Sequence, residues 1–189
     1  MTKPNNIPKN NPTAWDEFAC VQGCIQQKIM FQEQLYKHFY ASMMGLVKRY
    51  TNDEDQAVSI LNNGFLRVFK KIHQFKFQGS LEGWIRRIII HAVSDYFKSL
   101  KFKEETFDDN FIDKSKETTI IELSYDYNKL LNLLHQLPPT TKIIVNLFLI
   151  DEFTHKDIAS LMNISINTSK WHVAEGRKML IKMLTQNRT

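Results

Sequence analysis

One apolar period runs through most of this chain, and it is the helical one. Phe31, Leu35, Phe39, Met43, Leu46 and Val47 recur every three or four residues, the spacing that gathers side chains on one face of an α-helix. No segment keeps the period-two alternation of a half-buried strand. Six Gly and five Pro in 189 residues are too few turn formers for a sandwich or a hairpin-rich fold. The expected class is therefore all-α. With 43% hydrophobic residues a packed core can form, which separates the chain from disordered ones. Its length gives room for one ordinary domain or two small ones, and too little for a large barrel enzyme.

Helix signals divide the pattern. The first long amphipathic run reaches about Tyr50, and Thr51-Asn52-Asp53 breaks it. Asp53 is placed to cap a new helix, with Gln56 reaching back from its third position. That helix carries Ala57, Ile60, Leu61, Phe65, Val68, Phe69 and Ile72. Gln74 to Gly79 reads as a loop, and Ser80 as the N-cap of a helix from Leu81 to about Leu100. Another helix from about Leu123 places Tyr127, Leu130, Leu131 and Leu134 on one side and ends at Pro138-Pro139. Pro139 or Thr140 opens the next, which carries Ile143, Ile144, Leu147 and Phe148.

Charge follows the same divisions. Residues 1–103 carry net +7, residues 104–122 net −5, and residues 123–189 net +3. Two basic blocks on an acidic connector suggest two binding units with an anionic partner. The expected organisation is a disordered leader over 1–13, a first domain over 14–103, an acidic linker over 104–122 and a second domain over 123–186.

Residues 154–184 hold the sharpest local signal. Thr154-His155-Lys156-Asp157 is a capping box, and Ile158, Ala159, Leu161 and Met162 give the helix behind it an apolar face. Asn163 suits the left-handed backbone of a sharp turn, and Ile164 can plug the angle between two helices. Ser165 or Asn167 then starts a longer helix through Leu184. This is the layout of a helix-turn-helix, in which the first helix braces the second across the DNA major groove. Ser165, Asn167 and Thr168 stand where hydroxyls, amides and backbone N–H groups reach phosphate. Lys170, Arg177, Lys178 and Lys182 add cations. The plain alternative is a helical hairpin with a solvated basic face.

In the first block, Phe75, Phe77 and Trp84 bracket Lys76, Gln78, Gly79 and Ser80, followed by Arg86, Arg87, His91, Tyr96 and Lys98. Aromatic rings among cations suit single-stranded DNA, whose bases stack while the cations follow the backbone. A glycine-containing loop at a helix start can also hold a base taken out of the stack. Taken singly, these aromatics are more often core residues, and Trp84 is expected to be one by its size.

Other chemistry is thinly represented. Cys20 and Cys24 are too few for a disulfide framework, have no zinc partners nearby, and read as small buried residues in a reducing compartment. The six His are scattered without a metal-ligand pair, and no nucleophile–base set, acidic metal cluster or glycine-rich phosphate loop supports an enzyme. No cofactor is implied. The N-terminus lacks an apolar signal stretch, and the run Ile143 to Ile150 is too short to span a bilayer. A cytoplasmic protein without membrane insertion is expected.

Together the two motifs resemble the extracytoplasmic-function (ECF) sigma factors, promoter-specificity subunits of bacterial RNA polymerase. Gly64-Phe65-Leu66-Arg67-Val68-Phe69-Lys70-Lys71-Ile72, Phe75 to Gly79 and Gly83-Trp84-Ile85-Arg86-Arg87-Ile88 are similar to the family's region two. Leu137-Pro138, Asp157-Ile158-Ala159, Ile164-Ser165 and Thr168-Ser169-Lys170 are similar to its region four. The resemblance covers about residues 25–103 and 123–184. It implies binding to core polymerase at the β′ clamp helices through Asp53, Asp55, Asn62, Asn63 and Arg67, and at the β flap through region four. It implies minus-ten capture by Phe75, Lys76, Phe77, Gln78, Gly79 and Ser80, with Arg87, His91, Asp95 and Lys98 on the helix behind. It implies minus-thirty-five recognition by Ser165, Asn167, Thr168, Lys170, Trp171, His172, Ala174, Glu175, Arg177 and Lys178. An anti-sigma factor is a further partner the family allows. Asn62 and Asn63, and in the recognition helix Trp171, His172 and Glu175, depart from the family's usual residues. The competing reading is a stand-alone helix-turn-helix regulator that never binds polymerase; it leaves the first block unexplained.

Overall fold

The computed structural model describes residues 15–99 and 127–186, and every regular element among them is helical. The leader 1–13 and the linker 104–122 lie outside the described residues.

The first unit is built from α1 (Glu17–Ile25), α2 (Ile29–Lys48), α3 (Glu54–Lys71) and α4 (Leu81–Ser99). Each start has a local cause. Asp16 accepts from the Ala19 N–H, Asp53 from the Gln56 N–H at 3.0 Å, and Ser80 Oγ from the Gly83 N–H at 3.2 Å. The expected Gln56 reach-back is different: the Asp53 N–H donates to Thr51 Oγ1, and Thr51 in turn donates to Gln56 Oε1. The side chain of Thr51 thus takes the place that Gln56 was expected to fill. Leu35, Phe39, Met43, Leu46 and Val47 of α2 pack on Ala57, Ile60, Leu61 and Phe65 of α3 and on Ile85, Ile89 and Ile90 of α4, all buried. Gly64 lets α3 and α4 approach closely, since a Cβ there would overlap the Ile89 side chain. Cys20 and Cys24 are free thiols buried in the same core.

The second unit holds α5 (Tyr127–His135), α6 (Pro139–Val145), α7 (His155–Met162) and α8 (Ile166–Gln186). Pro139 occupies the first turn of α6, where its missing N–H costs nothing. After α6 the helix widens into a π-turn over Asn146–Ile150, closed by the Asp151 N–H on the Asn146 carbonyl at 3.0 Å. Glu152 then adopts φ 58°, which turns the chain towards α7.

The two units do not stand apart. Phe153, Ile158, Leu161 and Met162 of the second belong to the same continuous core as Ile90, Val93 and Phe97 of the first. Buried Ser94 of α4 donates to the Leu161 carbonyl of α7 at 3.0 Å. The charge pattern shows two units, but their apposition through α4 and α7 is not visible in it.

Candidate promoter-DNA and polymerase interface

The helix-turn-helix forms as its local chemistry requires. Thr154 and Asp157 complete both arms of the capping box, and the Thr154 hydroxyl above all holds the Asp157 carboxyl below its usual range. Asn163 sits at φ 57°, ψ 50° and ends α7 in the left-handed conformation. Ile164 packs against the core between the two helices. Ser165 Oγ accepts from the Thr168 N–H at 2.9 Å and fixes the start of α8.

Along α8, Ser165, Asn167, Arg177 and Lys178 are exposed, while Lys170, Trp171, Ala174 and Glu175 are half-buried. Two expected DNA contacts are corrected. Thr168 is buried, its N–H and hydroxyl both engaged by Ser165. His172 is fully buried on the inner face, 2.9 Å from Thr141 Oγ1, and burial lowers its pKa to about 4. Both belong to the buried stripe of α8 with Ser169, Val173 and Gly176, of which His172 and Gly176 face α6. A Cβ at Gly176 would overlap Val145, so the spacing between α6 and α8 depends on this glycine. The Arg177 guanidinium lies over the Phe148 ring at 5.7 Å, and Lys178 approaches Glu175 at 3.6 Å.

The loop before α4 separates core from contact. Phe75, expected to stack on a base, is buried at 7% exposure against Trp84, so this assignment is corrected: Phe75 anchors the loop. Trp84 is half-buried and packs on the core. Phe77 remains accessible at 40% exposure, held at φ 56° between the rings of Phe75 and Phe18. Gly79 has φ 130°, which a side chain would strain. Gln74, Lys76, Gln78, Gly79, Ser80 and Arg87 help line an open cavity of about 470 Å³ beside Trp84.

On the outer face of α4, Arg87 and His91 stand one turn apart and exposed. Asp95 is held by Arg67 of α3 at 2.6 Å and by Lys98 at 3.0 Å. Burial opposes ionisation of Asp95, but these two cations outweigh it and lower its pKa. Arg67 also donates to Asn63 at 2.8 Å, so it braces α3 against α4. Asp53 and Asp55 are exposed at the start of α3, and Asn62 accepts from the Tyr36 hydroxyl at 3.0 Å.

One residue that sequence reasoning passed over is Asp151. Its side chain is 0% exposed and accepts from Arg49 at 2.6 Å, Arg86 at 2.5 Å and the Tyr50 hydroxyl at 2.5 Å, all from the first unit. The only signal in the sequence is an acid placed directly after the apolar run Ile143 to Ile150.

A helix-turn-helix at one end and a basic loop with an accessible ring at the other make this a DNA-binding architecture of two units. The model of Sigma-70 region 2 matches residues 35–102, and that of Sigma-70, region 4 matches residues 127–180. The ECF RNA polymerase sigma-E factor of Haemophilus influenzae is 20% identical over 158 residues, covering 77% of this chain and 83% of its own. The ECF RNA polymerase sigma factor SigM of Bacillus subtilis is 21% identical over 136 residues, covering 70% and 82%. A solved structure of the sigma factor RpoE with the anti-sigma factor NepR from Bartonella quintana shares the fold, with TM-score 0.51 and 15% identity over 81% of this chain and 96% of that one. The chain belongs to the sigma-70 family as an ECF sigma factor. It binds core RNA polymerase and directs promoter recognition and transcription initiation, and it is not an enzyme. Among the described residues no helix is long and apolar enough to cross a membrane.

Proposed function

We propose that three surfaces divide the work of this sigma factor. The exposed residues Asp53, Asp55, Asn62 and Asn63 of α3 meet the β′ clamp helices. Lys76, Gln78, Gly79 and Ser80 line the cavity of the minus-ten site, with accessible Phe77 of the same loop as the stacking ring and Arg87 and His91 following the strand. Stacking on one ring contributes about 1–3 kcal/mol, enough to offset much of the cost of unpairing a base. The outer side of α8, with exposed Ser165, Asn167, Arg177 and Lys178 and half-buried Lys170, reads the minus-thirty-five element, and region four also touches the β flap. The domain bounds are 14–103 and 123–186 around the linker 104–122. The protein works in the cytoplasm, and an anti-sigma factor is a further partner.

The observation that carries this reading is the pairing of an exposed helix-turn-helix face with a cavity walled by Lys76, Gln78, Gly79 and Ser80. The test is holoenzyme binding to upstream duplex DNA at several salt concentrations. Each lost phosphate contact, in Lys170→Ala and Arg177→Ala, should lower the slope of log affinity against log salt by about 1. Wild-type affinity and slope in both variants would remove α8 from the minus-thirty-five contact.

A further inference from the structure

Among the described residues Phe18 and Phe77 are the two exposed phenylalanines, and they lie against each other. Phe18 is the more open of the pair, at 62% exposure. The ring centroids are 5.3 Å apart with the planes tilted by 39°, a separation that aromatic pairs prefer. The two rings end a chain that starts at the core. Trp84 packs on Phe75 at 5.7 Å, Phe75 on Phe77 at 4.9 Å, and Phe77 on Phe18. Phe18 belongs to α1, far in sequence from the loop it touches.

Packing of the core does not account for this placement. α1 turns Cys20, Val21 and Cys24 inward and leaves Phe18 outside that stripe. A ring left in water forgoes the stabilisation that burial gives a phenylalanine. Phe77 is held at φ 56°, a left-handed conformation that bulky residues seldom adopt. Its ring lies beside Phe18 while that of Phe75 is buried. Backbone strain of this kind gathers at ligand sites.

The surroundings select the occupant. Gln74, Lys76, Gln78, Ser80 and Arg87 help line the cavity beside the same loop, and exposed Lys76 and Arg87 supply cations for phosphate. α1 carries no Lys or Arg, and Asp16 and Glu17 stand at its start. Beside these two carboxylates Phe18 suits the face of a base and not a phosphate. A base inserted between two rings needs them about 6.8 Å apart, twice the spacing of about 3.4 Å between stacked bases. Phe18 and Phe77 are closer than that, so no base enters between them. They offer one platform two rings wide, which matches two successive bases of a single strand.

We propose that Phe18 is a second stacking ring of the minus-ten site, carrying the base next to the one on Phe77, so that α1 is part of the DNA-binding surface. This rests on the minus-ten assignment of the Lys76–Ser80 loop under the proposed function.

The test uses holoenzyme and a fluorescein-labelled single strand, the non-template strand across the minus-ten element of a promoter the chain uses. The strand is taken intact and with one base at a time replaced by an abasic site, and binding is read by anisotropy. Phe18→Ala should weaken binding about fivefold or more, the lower end of what one stacked base contributes. It should leave the slope of log affinity against log salt unchanged, whereas Lys76→Ala should lower that slope by about 0.7. Phe18→Trp should bind as wild type does, and Phe18→Leu, apolar but without a ring, should bind as weakly as Phe18→Ala. In the abasic series the loss at one position should vanish in Phe18→Ala, and the loss at the adjacent position in Phe77→Ala. Thermal melts establish that each variant is folded. Wild-type affinity and abasic profile in Phe18→Ala overturn the proposal. Full recovery by Phe18→Leu overturns it too, because a packing role alone needs no ring. Loss of core binding with DNA affinity per holoenzyme intact assigns Phe18 to a protein contact and overturns it as well. A wild-type abasic profile in Phe77→Ala removes the loop from the minus-ten site, a failure of the proposed function that is distinct from the other three.

Discussion

Protonating His172 should loosen the helix-turn-helix unit, and the size of the effect follows from its position. The imidazole is fully buried between α8 and α6 with Thr141 at 2.9 Å. Burial disfavours its cation and brings its pKa to about 4, against about 6.5 in an unfolded chain. Between these values the unfolded state binds the proton and the folded state does not. The stabilising effect is therefore complete above about pH 6.5 and is lost as pH falls towards about 4. Over that window the loss is about 3 kcal/mol, a sizeable part of the stability of a small unit. Urea unfolding followed by circular dichroism, from neutral pH down to about pH 4, measures it. His91 and His135, also held below their usual range by desolvation, contribute equally to wild type and to His172→Gln, so the comparison isolates His172. The variant should be less stable at neutral pH and lose about 3 kcal/mol less on acidification. Parallel pH profiles for the two proteins, or a His172 ring that titrates near pH 6.5 by NMR, would refute the reasoning.

Other substitutions probe packing and capping. Gly176→Ala drives a methyl into the stiff, fully buried Val145 and should destabilise the protein by about 1–2 kcal/mol, the overpacking cost less the helix-propensity gain. Gly45→Ala meets nothing within 4 Å and should instead stabilise it by about 0.5–1 kcal/mol; thermal melts of the pair decide whether α6 and α8 are in contact as described. Asp53→Ala removes the N-cap of α3 and should cost about 1 kcal/mol in urea unfolding. Exchanging residues 76–80 for those of a relative with another promoter should move the preferred minus-ten base and leave the minus-thirty-five preference alone, as read by transcription from randomised templates.

Helix positions were legible in the sequence because their causes are local. The Asp53, Ser80 and Thr154 caps and the left-handed Asn163 each need only a few neighbouring residues, and all four form as expected. The faces of those helices were harder to read. Phe75 and Phe77 are chemically alike and two residues apart, yet one is buried and the other accessible, because the loop adopts φ 56° at Phe77. His172 and Thr168 lie in a helix whose polar residues occupy both faces, so periodicity could not assign them to its buried side. Asp151 was missed for another reason. Its partners Arg49 and Arg86 are 102 and 65 residues away, and a surface acid and a buried, ion-paired one look the same in sequence.

The account rests on this chain conferring promoter choice on polymerase. Run-off transcription with purified core enzyme on a genomic template library measures that directly. Addition of the chain should produce a new set of transcripts that begin downstream of a shared pair of elements, and the set should narrow or change when residues 76–80 are exchanged. Transcripts that are the same with and without the chain would contradict the account at its root.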